Sequence, residues 1–389
     1  MSVIRHTGEV YVKDNQQLLY TVLSCDIFPM VRCFLVLEDE SVMPGESFGY
    51  MNNAFGEVVF STGMDGYQES LTDPSFRGQI LVMTYPIVGN YGIRNDFNQS
   101  KGVHVRALVV REYCEEPSKM YGGKTLDKFL KENKVPGISG IDTRDLDIRI
   151  RQKGTLKGAI VYSKEEIEET IKMLKKAKAP SESNLVAEVS PKKIMKISNG
   201  KDITIGMIDC GAKSSILDEL SKRFNVIVFP YDTAAQKIMD SKVKGVLISN
   251  GPGDPSHPDI RKTVIRTVDD LSSQLPITGI CFGNQMVAMG LGGSTYKMKF
   301  GHHGCNQPVK YEGRIYVTSQ NHEFAVDENS LEGTGLEANQ FNVNDRTVEG
   351  TQHRNLPIFT VQYHPEAAPG PEDTVFVFDR FRKILEAVR

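Results

Sequence analysis

The sequence lacks several features that would place it in a specialised class of protein. It has no tryptophan, and its six cysteines follow no repeating spacing, which excludes a disulfide framework and makes a reducing, cytoplasmic environment the expectation. Lysine and arginine total 46 against 49 acidic residues, so no basic excess indicates nucleic-acid binding. No apolar run reaches the roughly 18 residues of a membrane span, and the first residues lack the layout of a signal peptide.

The length of 389 residues, 40% of them hydrophobic, predicts about two or three domains with buried cores. A polar stretch rich in Ser, Asn, Pro and Lys follows a predicted helix and indicates a linker at 181–202. We therefore predict one domain at 33–180 and a second at 203–389. Residues 1–32 form an N-terminal extension to which the sequence assigns no role.

The two predicted domains differ in their hydrophobic pattern. In the first, short strand-like runs such as 33–38 and 79–84 alternate with turns, and helical patterns are few, which predicts a β-rich α+β domain. In the second, strands and helices alternate from residue 203 onward. This α/β pattern predicts a mostly parallel sheet flanked by helices, in which functional residues collect at the carboxyl ends of strands.

Residues 279–285 read GICFGNQ, between an apolar strand and an apolar helix. A cysteine in such a strand–helix turn is typical of a nucleophile elbow, because Gly279 and Gly283 lack the Cβ atoms that would clash there. The helix N-terminus would favour the thiolate of Cys281 and offer N–H groups to an oxyanion. The alternative is a buried structural cysteine in an ordinary turn.

A thiolate nucleophile needs a base held by a third group. His364 and Glu366 follow a predicted strand at 358–362 and could supply the base and its orienting carboxylate. The tripeptide His-Pro-Glu is weak evidence alone, since surface turns often contain it. Together with the elbow about 80 residues upstream it predicts a catalytic triad.

Two further motifs have competing interpretations. The glycine-rich SNGPGD at 249–254 follows a strand without the Gly-Lys of a P-loop, so it either offers backbone N–H groups to a substrate or oxyanion or is simply a tight turn. Adjacent histidines at 302 and 303 suggest a metal, but they point in different directions on a strand, and no second cluster has ligand spacing. We therefore predict no metal site.

The elbow and the His-Pro-Glu tail resemble those of class I glutamine amidotransferases. The wider pattern resembles the small, glutaminase subunit of carbamoyl-phosphate synthetases from about Cys33 to the C-terminus. The motifs that carry this resemblance are EVVFSTGMDGYQ from 57, LTDP from 71, GIDTR from 140, SNGPGD from 249, KMKFGHHG from 297 and PGP from 369.

The resemblance implies a nucleophile, Cys281, completed by His364 and Glu366. It also implies glutamine contacts, some of them through the main chain. These contacts are Gly63, Gly251, Gly253, Phe282, Gln285, Asn321, Glu323 and Phe324.

Three positions depart from the pattern of the family. Gly63 stands where bacterial relatives place a glutamine-contacting serine, so a contact there must use the main chain. Glu323 and Cys305 each stand where glycine is usual. A carboxylate at 323 could change glutamine affinity, or it could point to solvent.

The resemblance further implies a large synthetase partner subunit and an ammonia tunnel. This chain shows no ATP-binding signature of its own, so we expect no cofactor here and expect ATP and Mg on the partner, which would use bicarbonate. The carbamoyl phosphate would feed pyrimidine and arginine synthesis. A stand-alone cysteine amidase or peptidase, another class I amidotransferase subunit and a non-catalytic subunit with a relic fold are the alternatives.

Overall fold

The structure is a computed structural model that describes residues 31–388 and the backbone of three further strands. These strands, β1 (Ser2–His6), β2 (Glu9–Lys13) and β3 (Tyr20–Val22), pair as a small antiparallel sheet. The other residues of the predicted extension at 1–32, apart from Val31 and Arg32, lie outside the described residues. Its role stays undefined.

A closed β-barrel dominates residues 31–161. The strands of this region are β4 (Arg32–Leu37), β5 (Val42–Gly49), β6 (Ala54–Ser61), β7 (Gln79–Met83), β8 (Ile87–Val88), β9 (Ala107–Val109), β10 (Glu112–Tyr113), β11 (Pro136–Ser139) and β12 (Leu156–Val161). The barrel has the strand order β11-β5-β4-β12-β6-β7-β9. Its helices, together with one that follows β12, are α1 (Tyr67–Thr72), α2 (Leu126–Glu132), α3 (Thr143–Lys153) and α4 (Ile167–Lys176).

The barrel forms because alternate side chains along its strands are apolar and fully buried. Leu35 and Leu37 from β4 pack with Ile80 and Val82 from β7 in one core cluster, as the two-residue period of a strand requires. The β-rich prediction for this region is confirmed. The closure of the sheet into a barrel was not predicted.

The C-terminal region contains a single ten-stranded sheet with helices packed against it. Its strands are β13 (Met195–Ile197), β14 (Thr204–Asp209), β15 (Asn225–Pro230), β16 (Val246–Ile248), β17 (Ile277–Ile280), β18 (Thr295–Tyr311), β19 (Arg314–Val326), β20 (Leu336–Asn342), β21 (Val348–His353) and β22 (Ile358–Val361). The helices are α5 (Val186–Val189), α6 (Ser214–Arg223), α7 (Ala235–Asp240), α8 (Pro258–Ile260), α9 (Arg266–Ser272), α10 (Phe282–Gly290) and α11 (Phe376–Ala387), with a π-helical segment at Arg261–Ile265 between α8 and α9.

The sheet is mixed, which corrects the prediction of a mostly parallel one. Five neighbouring strands, in the order β15-β14-β16-β17-β22, are parallel, and the remaining pairings are antiparallel. The long hairpin of β18 and β19 turns through Glu312 and Gly313, both at positive φ, with Tyr311 paired to Arg314. Such a two-residue turn joins antiparallel strands directly, without the crossover helix that marks a parallel pair in sequence.

The predicted linker at 181–202 is folded rather than extended. It contains α5 and β13, and β13 adds to the sheet beside β15. Ser181 at its start donates both its N–H and its hydroxyl to the buried Glu57 of the barrel, at 2.9 and 3.0 Å. In the part of the chain that the structure describes, no helix is both long and apolar enough to cross a membrane.

Candidate active site

Cys281 occupies the sharp turn between β17 and α10. Its backbone has φ 54° and ψ −104°, a conformation that L-residues rarely adopt. A Cβ on Gly279 would lie 2.4 Å from the backbone of Gly283, and a Cβ on Gly283 would lie 2.1 Å from the carbonyl oxygen of Ile248. The turn therefore requires both glycines, as the elbow motif predicts, and it places Cys281 at the carboxyl end of the parallel strands.

Gly283→Ala is expected to destabilise the protein by about 3 kcal/mol or more, because the new methyl group overlaps a backbone oxygen that cannot move without displacing β16. Urea unfolding measures this loss. Gly333→Ala is the control, since its Cβ would meet nothing within 4 Å and would cost only about 1 kcal/mol for its positive φ. Equal stability losses in the two variants would contradict the crowding described here.

His364 and Glu366 follow β22, beside the elbow. His364 Nδ1 hydrogen-bonds Glu366 Oε1 at 2.7 Å, and the same carboxylate oxygen accepts from Lys213 Nζ at 2.7 Å. The side chains of Lys213 and Glu366 are 2% and 0% exposed, so this is a fully buried ion pair. Glu366 thus fixes the ring of His364 through one nitrogen and leaves Nε2 free of other partners among the described residues.

The charges around His364 favour its protonated form. Burial opposes protonation, but Glu366 and Cys281 outweigh it and raise the pKa of His364 to about 10. Burial also acts to raise the pKa of Glu366, whereas Lys213 and His364 lower it to about 2. Glu366 is therefore ionised and His364 cationic at neutral pH. The N–H of Cys281 donates to the carbonyl of Val361 at 2.9 Å, which places the elbow beside the turn that carries His364.

Cys281 opens onto a small, narrow cavity. The residues that line this cavity are Ser75, Gln79, Gly251, Pro252, Gly253, Cys281, Phe282, Gln285, Asn321, His322, Glu323 and Phe324. His364 lines a second small cavity together with Lys213, Cys305 and Pro369, and Asn321 lies in the wall of both. The thiol thus borders the first cavity and the imidazole borders the second.

Hydrogen bonds from neighbouring elements hold the cavity wall in place. Gln285 Nε2 donates to the carbonyl of Phe324 at 2.7 Å, which ties α10 to β19. Asn321 accepts from the Cys281 thiol through its backbone oxygen at 3.5 Å, and its amide donates to Asp73 Oδ2 at 3.3 Å. Asp73, from the N-terminal region, therefore helps to hold Asn321 in the cavity wall.

All the predicted glutamine contacts except Gly63 line this cavity. The N–H of Gly63 donates to the Ser61 hydroxyl at 3.3 Å, and a Cβ there would approach the sulfur of Cys305. A main-chain contact from Gly63 to a substrate stays a prediction. Glu323 does not point to solvent, because it is 6% exposed and accepts from Gln79.

The sequence reasoning missed three residues of this site, Lys213, Asp73 and Gln79. Lys213 lies in the turn after β14, and nothing in the sequence around it distinguishes it from a surface lysine. Asp73 and Gln79 belong to the barrel region, far from the elbow in sequence, and only the packing of the two regions brings them to the cavity.

A buried cluster of His302, His322 and Glu349 has ligand atoms close enough for a metal ion. Internal hydrogen bonds already occupy these nitrogens. His302 contacts Gln320 and Asp345 at 2.8 and 2.9 Å, and His322 contacts Gln320 and the Phe324 carbonyl. Burial opposes protonation of His302, but the neighbouring carboxylates raise its pKa to about 9. In this structure the cluster is a buried network in which His302 lies 3.4 Å from Glu349.

Two family models match the chain. The one described as "Carbamoyl-phosphate synthase small chain, CPSase domain" matches residues 35–160, and the one described as "Glutamine amidotransferase class-I" matches residues 206–384.

Curated relatives match over nearly the whole chain. The carbamoyl phosphate synthase small chain of Archaeoglobus fulgidus is 45% identical over 362 residues, which cover 92% of this chain and 100% of that protein. The small chain of Methanopyrus kandleri is 49% identical, with coverages of 90% and 98%. The pyrimidine-specific small chain of Bacillus subtilis is 46% identical, with coverages of 90% and 95%. The chain belongs to the family of carbamoyl phosphate synthase small chains.

Proposed function

We propose that this chain hydrolyses the side-chain amide of glutamine and delivers the ammonia to a carbamoyl phosphate synthase large chain. One observation carries the proposal: Cys281, held at φ 54° in a strand–helix turn, opens onto a small cavity, and its N–H donates to Val361 at 2.9 Å, beside the turn that carries the buried cationic ring of His364. This arrangement supplies a nucleophile, a proton donor and a substrate space in one place.

In the first half of the reaction, the Cys281 thiolate attacks the amide carbon of glutamine. The backbone N–H groups of Gly253 and Phe282 bind the resulting oxyanion, since neither donates to another group in the described part of the chain. His364 transfers its Nε2 proton to the amide nitrogen, and ammonia leaves as the carbon–nitrogen bond breaks. The product on the enzyme is a glutamyl thioester.

In the second half, His364 is neutral and acts as the base. It removes a proton from a water molecule, which attacks the thioester carbonyl, and the carbon–sulfur bond breaks to release glutamate. The departing sulfur is again a thiolate beside the imidazolium. Glu366 keeps its charge throughout, because its low pKa leaves it ionised while the ring alternates between its two forms.

Ammonia becomes ammonium in neutral water and is then no longer a nucleophile, so the product must reach its acceptor without equilibrating with solvent. We propose a heterodimer with a large chain that binds ATP and Mg²⁺ and uses bicarbonate, in the cytoplasm. We propose that pyrimidine and arginine synthesis consume the carbamoyl phosphate. The pyrimidine-specific name of the Bacillus relative supports the pyrimidine route.

The test is ammonia release from glutamine by the purified chain, with and without the large chain expressed from the same source. Strong activation by the large chain, together with carbamoyl phosphate formation from glutamine, is the expected result. A full rate without the large chain, or cleavage of peptides, would support the stand-alone hydrolase. No ammonia release in either condition would overturn the proposal.

A further inference from the structure

Glu323 is a buried carboxylate in the wall of the cavity that holds Cys281. It lies in β19, is 6% exposed, and its Oε2 accepts from Gln79 Nε2 at 3.0 Å. Gln79 begins β7 of the barrel and is 8% exposed. The pair therefore joins the two regions of the chain directly at the cavity.

Several carboxylates share one cation near Glu323. Lys297 Nζ, on a side chain that is 39% exposed, pairs with Glu57 Oε1 at 2.7 Å, and Glu323 and Asp254 are further carboxylates close enough to raise the pKa of Lys297 against its burial. Among the residues that the structure describes, these three carboxylates thus share the charge of Lys297. His322, the neighbour of Glu323 in β19, adds no positive charge, because burial lowers its pKa well below the ordinary value. Of these carboxylates, Glu323 lines the cavity, and the cation near it is shared with Glu57.

Two buried oxygens in this wall lack a hydrogen-bond donor. Oε1 of Glu323 and Oε1 of Gln79 both accept no hydrogen bond among the described residues, although the Thr155 hydroxyl lies near the carboxylate and favours its ionised form. Buried acceptors without donors are costly and are rare in folded proteins. Both residues line the cavity, so a group that enters it can supply the missing donors.

We propose that Glu323 and Gln79 bind the α-ammonium group of the substrate and so make the cavity specific for an α-amino acid amide. An ammonium group offers three N–H donors and one positive charge, which matches two unpartnered acceptor oxygens and a buried carboxylate that a nearby cation would keep ionised. This inference rests on the proposed function, since it assigns one end of glutamine while Cys281 attacks the other. Glu323 determines specificity and takes no part in the bond-breaking steps.

The test compares glutamine with 4-carbamoylbutanoate, which has the same amide and carboxylate but no amino group. For the wild-type chain with its large chain, ammonia release should favour glutamine in kcat/KM by roughly tenfold or more, the usual worth of a charge-assisted hydrogen bond. In Glu323→Gln the KM for glutamine should rise by a similar factor with little change in kcat, and the preference over 4-carbamoylbutanoate should collapse. Glu337→Gln, on the exposed surface, is the control and should leave the preference unchanged.

The pH dependence of KM tests the role of Glu323 in a second way. Burial and the nearby Glu57 raise the pKa of Glu323 to about 7, despite the opposing charge of Lys297. As pH falls from 8 to 6 the carboxylate is protonated, so the wild-type KM for glutamine should rise, whereas KM in Glu323→Gln should stay flat. A purely structural role of Glu323 would lower stability in the variant without producing this difference in the pH dependence of KM.

Should Glu323→Gln fail to fold, Gln79→Met serves in its place, because it removes one acceptor oxygen and leaves the carboxylate. We then expect a partial loss of the preference for glutamine over 4-carbamoylbutanoate. A wild-type preference for glutamine that survives in the variants overturns this inference and leaves the proposed function standing. A wild-type complex that releases no ammonia from glutamine overturns both.

Discussion

Cys281→Ser should reduce glutamine hydrolysis by more than about 10³-fold. The serine hydroxyl fits the same elbow, since the backbone at 281 and the two flanking glycines are unchanged, but it is scarcely ionised at neutral pH. Cys281 is one of the groups that raise the pKa of His364, so the serine variant also loses part of what keeps the proton donor charged. Ammonia release from glutamine, assayed with the large chain present, measures the loss.

Ammonium supplied to the same complex is the control for Cys281→Ser. We expect carbamoyl phosphate formation from ammonium to persist at the wild-type rate, because the substitution removes only the source of ammonia. Thermal unfolding should also match the wild type, since the serine side chain is no larger than that of cysteine. Glutamine hydrolysis retained within tenfold of the wild type would contradict a thioester at Cys281.

The sequence was sufficient to predict the elbow because its constraints are local. The glycines at 279 and 283 are required by contacts within a few residues and by one neighbouring strand, so the motif itself carries the geometry. The hydrogen bond between His364 and Glu366 is also local, since it spans a two-residue separation. The tripeptide alone could not distinguish this pair from a surface turn, and only its combination with the elbow predicted a triad.

Long-range packing determines the features that the sequence did not reveal. Lys213 contributes to the site because the turn after β14 meets the end of β22, and the sequence separation of the ion pair hides the contact. The barrel closes through pairings such as β12 with β4, which span more than a hundred residues. The long β18–β19 hairpin was only partly predicted, because its strands contain histidines, glycines and charged residues that weaken the alternation of a half-buried strand.

Lys213→Met should destabilise the protein by about 3–5 kcal/mol and impair glutamine hydrolysis as well. The lysine is 2% exposed, and its removal leaves Glu366 buried with His364 as its remaining partner. In the wild type the lowered pKa of Glu366 contributes stability above its ordinary value of 4.5, and this contribution is lost as pH falls through about 2. In Lys213→Met the pKa of Glu366 should rise, so the acid limit of stability should move to higher pH. Urea unfolding between pH 3 and 7 measures both effects.

The double variant Lys213→Met/Glu366→Gln separates charge balance from catalysis. Removing both charges eliminates the uncompensated carboxylate, so we expect the double variant to be more stable than Lys213→Met alone. Glutamine hydrolysis should nevertheless stay at least about 10²-fold below wild type, because burial then dominates the pKa of His364 and the ring loses the proton it must donate. Additive stability losses in the double variant would show that Lys213 and Glu366 act independently, which their direct contact at 2.7 Å makes physically unreasonable. Recovery of activity along with stability would instead reduce the pair to a structural support, with the proton transfers carried by His364 unaided.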